Sequence, residues 1–328
     1  MTYSIAIRTL ALSQESLRKT LESVFAQTIR PQKVVIYIAQ GYTAPVWRIA
    51  SEEYVYVAKG MMRQRALRYD DLNSDYILML DDDVELSSTA AEHLLKTAET
   101  ERTDLLSADI FKNHKLSLKA KLFAALTSLV TPHFKQTIAF KLKKNGSFSY
   151  IAHPQARFYP SDTCPGPIML WRKDSFIKVN AEDEIWIDSL GFAYGDDALL
   201  SYKAVANGMK VGIDFNVKVT NLDSRTSSNK YHKDKKRFYI RSKAIFINWW
   251  RMCYKPYGNH NSGELKALNS GIIKWIWLLF VMLTTSVATM SLTPITSFFR
   301  GIYDGYKFVH LPEYTSLPAY IHITTTHQ

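Results

Sequence analysis

The sequence predicts an α/β fold, a mostly parallel mixed sheet flanked by helices. Three observations carry the prediction. Ser4 to Ile7, Val34 to Ile38 and Tyr76 to Leu80 are short apolar runs of the kind that form strands buried on both faces. Stretches with helical spacing lie between them, and alternation of strand and helix favours parallel pairing with crossovers. Two clusters of carboxylates follow apolar segments, where open α/β sheets collect their ligands.

In order along the chain, the first strand ends at Arg8-Thr9. Ser13 is a helix N-cap candidate, and Leu17, Leu21, Val24 and Phe25 then recur at helical spacing, with Pro31 just past the end. Gly41 breaks the second strand. Tyr54 to Val57 reads as a third. Met61 to Leu72 reads as a helix carrying Arg63, Arg65 and Arg68. Asp81, Asp82 and Asp83 close the Tyr76 strand, and Thr89 to Thr100 forms the next amphipathic helix. Later come a strand from Gly166 to Trp171, a loop from Gly191 to Asp197, a helix through Leu199, Leu200 and Ala204, and a strand from Lys210 to Val219.

The chain has 328 residues, a net charge of +11 and 47% hydrophobic residues. This composition is that of a folded protein rather than a disordered one, and the charge implies an anionic partner. No nucleic-acid motif accompanies the basic residues, so nucleic acid is not expected. Cys164 and Cys253 have no metal-ligand spacing and imply a reducing compartment. No secretory signal pattern is seen. From residue 110 to 161 there is no acidic side chain, while Lys112, Lys115, Lys119 and Lys121 interleave with Leu116, Leu118, Leu122 and Phe123. A basic helix with an apolar face suits an anionic membrane surface, and equally an ordinary surface helix. Trp275 to Phe299 is uncharged. It is long enough to cross a bilayer, to enter one as a hairpin, or to pack as a buried helix.

The acidic clusters carry the chemistry. Along an extended chain Asp81 and Asp83 point one way and Asp82 the other. Clustered carboxylates suit Mg²⁺ or Mn²⁺, and Mg²⁺ commonly bridges a carboxylate to a substrate phosphate. The plain alternative is a solvated acidic turn. For Asp196-Asp197 the plain alternative is a pair of caps on a helix N-terminus.

These motifs together resemble family 2 glycosyltransferases of the GT-A fold, which are inverting, nucleotide-sugar enzymes. The likeness runs from about residue 3 to 250. It rests on Ser4-Ile-Ala-Ile-Arg-Thr9, on Ser23-Val-Phe-Ala-Gln27-Thr28, on Arg65, on Leu80-Asp81-Asp82-Asp83, and on Gly195-Asp196-Asp197-Ala-Leu-Leu200. The resemblance implies a Rossmann-like GT-A domain over 1–250, with 110–161 as a basic insertion, and a membrane-associating helical region over 251–328. It implies donor contacts from Arg8, Thr9, Gln40, Arg65, Asp81 and Asp82. Asp83 would hold the metal, with Asn221 or His232 as a further ligand. Asp197 would be the general base and Asp196 its neighbour. Gln40 stands where the family has an aspartate, Asp196 where it has glutamate, Lys203 where it has arginine, and Asn221 where it often has histidine. The resemblance implies a nucleotide-sugar donor as partner; the acid-free basic stretch, the uncharged run and the unpaired cysteines without a signal add the expectation of a lipid-linked saccharide acceptor at the cytoplasmic face of a membrane. Two rivals share these residues. A haloacid-dehalogenase-type phosphatase would use Asp81 as nucleophile, and a sugar-nucleotide binder without turnover would account for Gln40 and Asn221.

Overall fold

The computed structural model describes residues 1–110, 137–151, 154–222 and 235–322. The basic stretch from Lys112 to Lys135, expected as an amphipathic helix, and His232 lie outside the described residues.

An eight-stranded sheet forms the centre. β1 (Tyr3–Thr9) pairs in parallel with β2 (Val34–Ala39) and β4 (Tyr76–Asp81), and β3 (Glu53–Val57) adds beyond β2. On the other side of β4 lie β10 (Ile168–Arg172), antiparallel, then β6 (Leu105–Ala108), β11 (Val211–Asp214) and β9 (Phe158–Pro160). The sheet is mixed and mostly parallel, as expected. Short pairs join β5 (Val84–Leu86) to β12 (Val219–Asn221) and β7 (Phe140–Leu142) to β8 (Phe148–Tyr150).

Strand alternation divides the core. Ile5, Ile7, Ile36, Ile38, Leu78 and Leu80 face α1 (Gln14–Phe25) and α3 (Ala90–Thr100). Ala6, Val35, Tyr37, Ile77, Met79 and Trp171 face the other way. That second side is closed by α2 (Met61–Arg65), α4 (Lys173–Val179), a 3₁₀ segment (Ala181–Leu190), α5 (Asp196–Ala206) and α6 (Lys235–Trp249). The odd–even difference between Leu80 and Asp81 therefore turns Asp81 toward α2 and α5.

Two expectations are corrected, and one of the alternatives left open for the C-terminal run is chosen. The helix expected from Met61 to Leu72 stops at Arg65. Tyr69, at φ +54°, folds back so that its hydroxyl donates to the carbonyls of Gln64 and Arg65 and ends the last turn. The strand expected from Lys210 to Val219 is two strands. The Asp214 carboxylate accepts the Asn216 N–H at 2.8 Å, and this local turn diverts the chain between them. The uncharged run from Trp275 to Phe299 is also broken. α7 (Leu265–Ala288) ends in a turn with Met290 at φ +48°, and α8 (Thr293–Phe308) begins with Pro294, which is accepted at a helix start but not in its interior.

α8 returns along the body. A Cβ at Gly301 would lie 2.8 Å from the Tyr239 carbonyl oxygen, and one at Gly305 3.0 Å from the Phe246 ring, so the two glycines let α8 lie close on α6. Gly271 likewise brings the start of α7 onto the Trp249 ring. After the short α9 (Pro312–Thr315), Tyr320 donates its hydroxyl to the Leu199 carbonyl at 2.5 Å, which ties the C-terminal segment to α5.

Lys203 is fully buried beside Asp183 at 2.9 Å and Glu184 at 3.2 Å, and Arg251 meets Glu184 at 2.7 Å. Burial alone would raise the Glu184 carboxyl, but Arg251 and Lys203 outweigh it and hold the group below its usual range. A carboxyl lowered by folding stabilises the protein above its unfolded pKa, and that stability is lost as pH falls through the folded value. We expect Lys203→Met to cost about 3 kcal/mol, because it removes one partner from a buried acidic pair. A urea unfolding series at neutral pH checks this, and the deficit should narrow at acidic pH.

Candidate active site

Parallel register places Arg8 directly beside Asp81 at the carboxyl ends of β1 and β4. The Arg8 guanidinium donates from Nε (2.9 Å) and lies 2.8 Å away through Nη2, both to Asp81 Oδ1. Its Nη1 donates to the Met61 carbonyl at 3.1 Å and lies 3.4 Å from Asp196 Oδ2. Arg8 thus spans the two acidic clusters. Burial would lower its pKa, but Asp81 and Asp196 outweigh that and raise it, so the cation is permanent.

On the opposite face of the same strands, Thr9 donates its hydroxyl to Asp82 and accepts the Ala11 N–H at 2.6 Å. Burial raises the Asp82 carboxyl, with the Thr9 hydrogen bond opposing the rise. Gln64 donates to the carbonyls of Thr9 (3.3 Å) and Tyr37 (3.0 Å), which holds α2 against the ends of β1 and β2. Gln40 is exposed just past β2, where its backbone N–H donates to Val57 and Gly41 turns the chain at φ +89°.

Arg65 is buried, with Nε 3.2 Å from Asp196 Oδ2 and Nη1 3.1 Å from Met169 Sδ. It therefore meets the second cluster rather than the first. Asp196, also buried, is shared by two arginines, whereas Asp197 is half-buried and accepts the N–H groups of Gly166 (3.1 Å) and Ala198 (2.8 Å). Burial raises the Asp197 carboxyl, and the neighbouring Asp196 charge adds to the rise. A carboxylate of raised pKa is a better proton acceptor than a free one. Burial also pushes up both cysteine thiols, so neither has the lowered pKa of a reactive cysteine.

Asp83 is half-buried in the turn after β4, and its carbonyl accepts the Leu222 N–H at 2.7 Å. That bond extends the β5·β12 pairing, in which Asn221 lies opposite Val84. A carboxylate and an amide carbonyl are hard oxygen donors, which fit Mg²⁺ or Mn²⁺. Among the described residues no group of three His, Cys, Asp or Glu side chains is arranged to hold a metal ion. A dication that also binds substrate phosphates commonly takes only one or two protein carboxylates.

Two positions escaped the motif reading. A Cβ on Gly166 would lie 2.9 Å from Arg65 Nη2 and 3.0 Å from the Asp197 Cβ, so any side chain there would have to shift the Arg65 guanidinium and press on Asp197. Asp188 accepts the N–H groups of Met62 and Arg63 at 2.9 Å each and so aims α2 at the cleft. The Cys164-Pro-Gly-Pro167 run hinted at the first. Nothing local marked the second.

No protein-family profile and no curated protein sequence matches the chain. Solved structures do. The crystal structure of GalNAc-T7 with UDP, GalNAc and Mn²⁺ aligns over 97% of this chain at a TM-score of 0.53 and 11% identity. The chain spans 58% of that structure's length. The crystal structure of S. aureus TarS 1-349 in complex with UDP-GlcNAc aligns over 94% of this chain and 81% of its own, at a TM-score of 0.53 and 12% identity. The fold is of the GT-A type. At such identities the likeness is one of fold.

An NMR titration of the Asp197 carboxyl should give a midpoint above the ordinary aspartate range. Asp196→Asn should lower it, since it removes a like charge and leaves Arg65 to act on Asp197. The linkage has a definite sign. A carboxyl raised by folding binds protons better in the folded state, so its contribution to stability falls as pH rises from the unfolded to the folded value.

Proposed function

We propose that the protein is an inverting glycosyltransferase of family 2 type. It moves a sugar from a nucleotide diphosphate sugar to a hydroxyl of a lipid-linked saccharide in the synthesis of a cell-surface glycan. One arrangement carries this reading: Arg8, at the end of β1, joins Asp81 of the first acidic cluster to Asp196 of the second. The Mn²⁺ and UDP of one structural neighbour and the UDP-GlcNAc of the other support the donor class.

Each residue then has a part. Asp81 and Asp82, steadied by Arg8 and Thr9, flank the nucleoside, with Gln40 at the outer edge. Asp83, with Asn221 on β12, would hold Mg²⁺ or Mn²⁺, which when bound neutralises charge on the leaving diphosphate. Arg65 and Arg8 keep Asp196 charged and in place. Asp197, on a different helix, accepts the proton of the attacking hydroxyl from the other side of the cleft, as inversion requires. Gly166 and Ala198 hold the Asp197 carboxylate at a set angle while leaving it half-exposed.

Membrane contact without a crossing completes the proposal, at the cytoplasmic face where nucleotide sugars are made. α7 is the one described helix long and apolar enough to span. Both ends of the α7–α8 hairpin nevertheless rest on the body, α7 through Gly271 on Trp249 and α8 through Gly301 and Gly305 on α6. Ile272, Ile276, Phe280, Leu283 and Val287 recur every three or four residues as an exposed apolar stripe, and Met290 at the tip is 96% exposed. Such a face lies in the interface with the catalytic body on one side of the bilayer.

Screening UDP-, GDP- and dTDP-sugars with Mn²⁺ or Mg²⁺ for nucleotide release should identify one donor class. Asp83→Asn should abolish metal-dependent nucleotide binding in calorimetry with the circular dichroism spectrum unchanged. Asp197→Asn should keep that binding and lose about 10²-fold or more of transfer. If Asp197→Asn transfers normally and Asp196→Asn does not, the base is assigned to the wrong neighbour. In flotation with vesicles, the protein should stay bound through a high-salt wash, while the Ile276→Glu/Phe280→Glu double variant should remain in the soluble fraction and still bind nucleotide.

A further inference from the structure

A cavity of about 700 Å³ lies apart from the acidic residues, none of which lines it. Its walls come from the end of the 3₁₀ segment, from α6 and from the start of α8. Ser189, Thr293, Thr296 and Ser297 bring hydroxyls, and Lys243 and Arg300 bring cations. None of the lining residues is acidic. Asp304, one turn along α8 from Arg300, accepts the Tyr239 hydroxyl at 2.7 Å and lies 3.7 Å from Arg300 Nε. Arg300 is mostly exposed, with its guanidinium over the Tyr239 ring, and Lys243 is half-buried with its ammonium over Phe308. The two cations suit phosphate oxygens, while the Ser189 hydroxyl donates to the Trp186 carbonyl and the Thr296 hydroxyl to those of Leu292 and Thr293, which leaves the cations to carry the recognition.

The surroundings select the kind of phosphate. The wall formed by α8 continues through the Met290 turn into α7, whose exposed stripe faces away from the body. A ligand here has its anionic part on Lys243 and Arg300 and an apolar part beside that stripe. The opposite wall continues into the catalytic loop. Gly191 lines the cavity and Asp197 is six residues further on, a separation of at most about 20 Å of chain. α6 serves both places. Asn248 donates to the Tyr194 carbonyl at 2.8 Å and Arg241 lies over the Tyr194 ring, while Tyr239 and Lys243 of the same helix line the cavity.

We propose that this cavity binds the phosphate or diphosphate headgroup of the lipid-linked acceptor. Lys243 and Arg300 pair with its oxygens, its lipid chain lies along the α7 stripe, and its saccharide extends past Gly191 toward Asp197. The inference rests on the glycosyltransferase reading and adds the acceptor's anchoring site to it.

The test uses the full chain and vesicles of phosphatidylcholine alone, with phosphatidylglycerol, or with a small mole fraction of polyprenyl diphosphate. Wild-type protein should bind the polyprenyl diphosphate vesicles most tightly, and free pyrophosphate should compete. Lys243→Gln/Arg300→Gln should weaken that binding about tenfold or more, since each lost charged hydrogen bond is worth a factor of that order. Lys243→Arg should keep it. Calorimetry of metal and nucleotide serves as the fold control and should not change. Binding by the double variant equal to wild type overturns the proposal, as does equal preference for phosphatidylglycerol vesicles, which reports general anion attraction. Loss of nucleotide binding in wild type would instead overturn the glycosyltransferase reading.

Discussion

Asp196 lies between two arginines, and the cleft depends on that contact. Carboxylates gathered at one sheet edge repel one another, more strongly where burial removes water. Arg8 answers the charges of Asp81 and Asp196 from β1, and Arg65 answers Asp196 from α2. With those charges matched, Asp197 can sit half-exposed with a raised pKa and Asp83 can sit at the strand end. The arginines do what a substrate or a dication does in other sites: they let acidic groups occupy one space.

The supports of those arginines are themselves polar and directional. Gln64 joins α2 to the ends of β1 and β2, and Asp188 accepts the first N–H groups of α2. A five-residue helix has little stability of its own. These side chains fix its position, and with it Arg65. Farther out, Lys203, Arg251, Asp183 and Glu184 join α5 to the 3₁₀ segment that bears Asp188. Lys203, which occupies the arginine position of the resembled family, has this structural task and lies away from Asp196.

The C-terminal hairpin follows a different logic. Its glycines bring helices into contact with α6, and its large apolar side chains point outward. Among the described residues nothing covers that stripe, and the lipid interface proposed above would bury it. The same α6 that receives the hairpin also holds Tyr194, two residues before Asp196, so the hairpin and the acidic loop share one support.

Much of this was legible in the residues. β1 to β4, β10, β11 and the helices α1, α3 and α5 announced themselves, because apolar runs and helical spacing are local patterns, whereas β6 and β9 are too short to stand out. The first acidic cluster was legible as charges directly after an apolar run, and the second as a carboxylate pair that follows a glycine and opens a helix. Other features needed the folded chain. The pairing of Arg8 with Asp81 is a matter of register between strands far apart in sequence. The shortness of α2 comes from Tyr69 turning back on it, and the choice of a hairpin over a single span for the uncharged C-terminal run is made by the turn at Met290. The distinction between Asp196 and Asp197, adjacent and chemically identical in the sequence, arises only in three dimensions. One meets two guanidinium groups and the other two backbone N–H groups, because a helix turns successive side chains by about 100° and so hands neighbours to different surroundings.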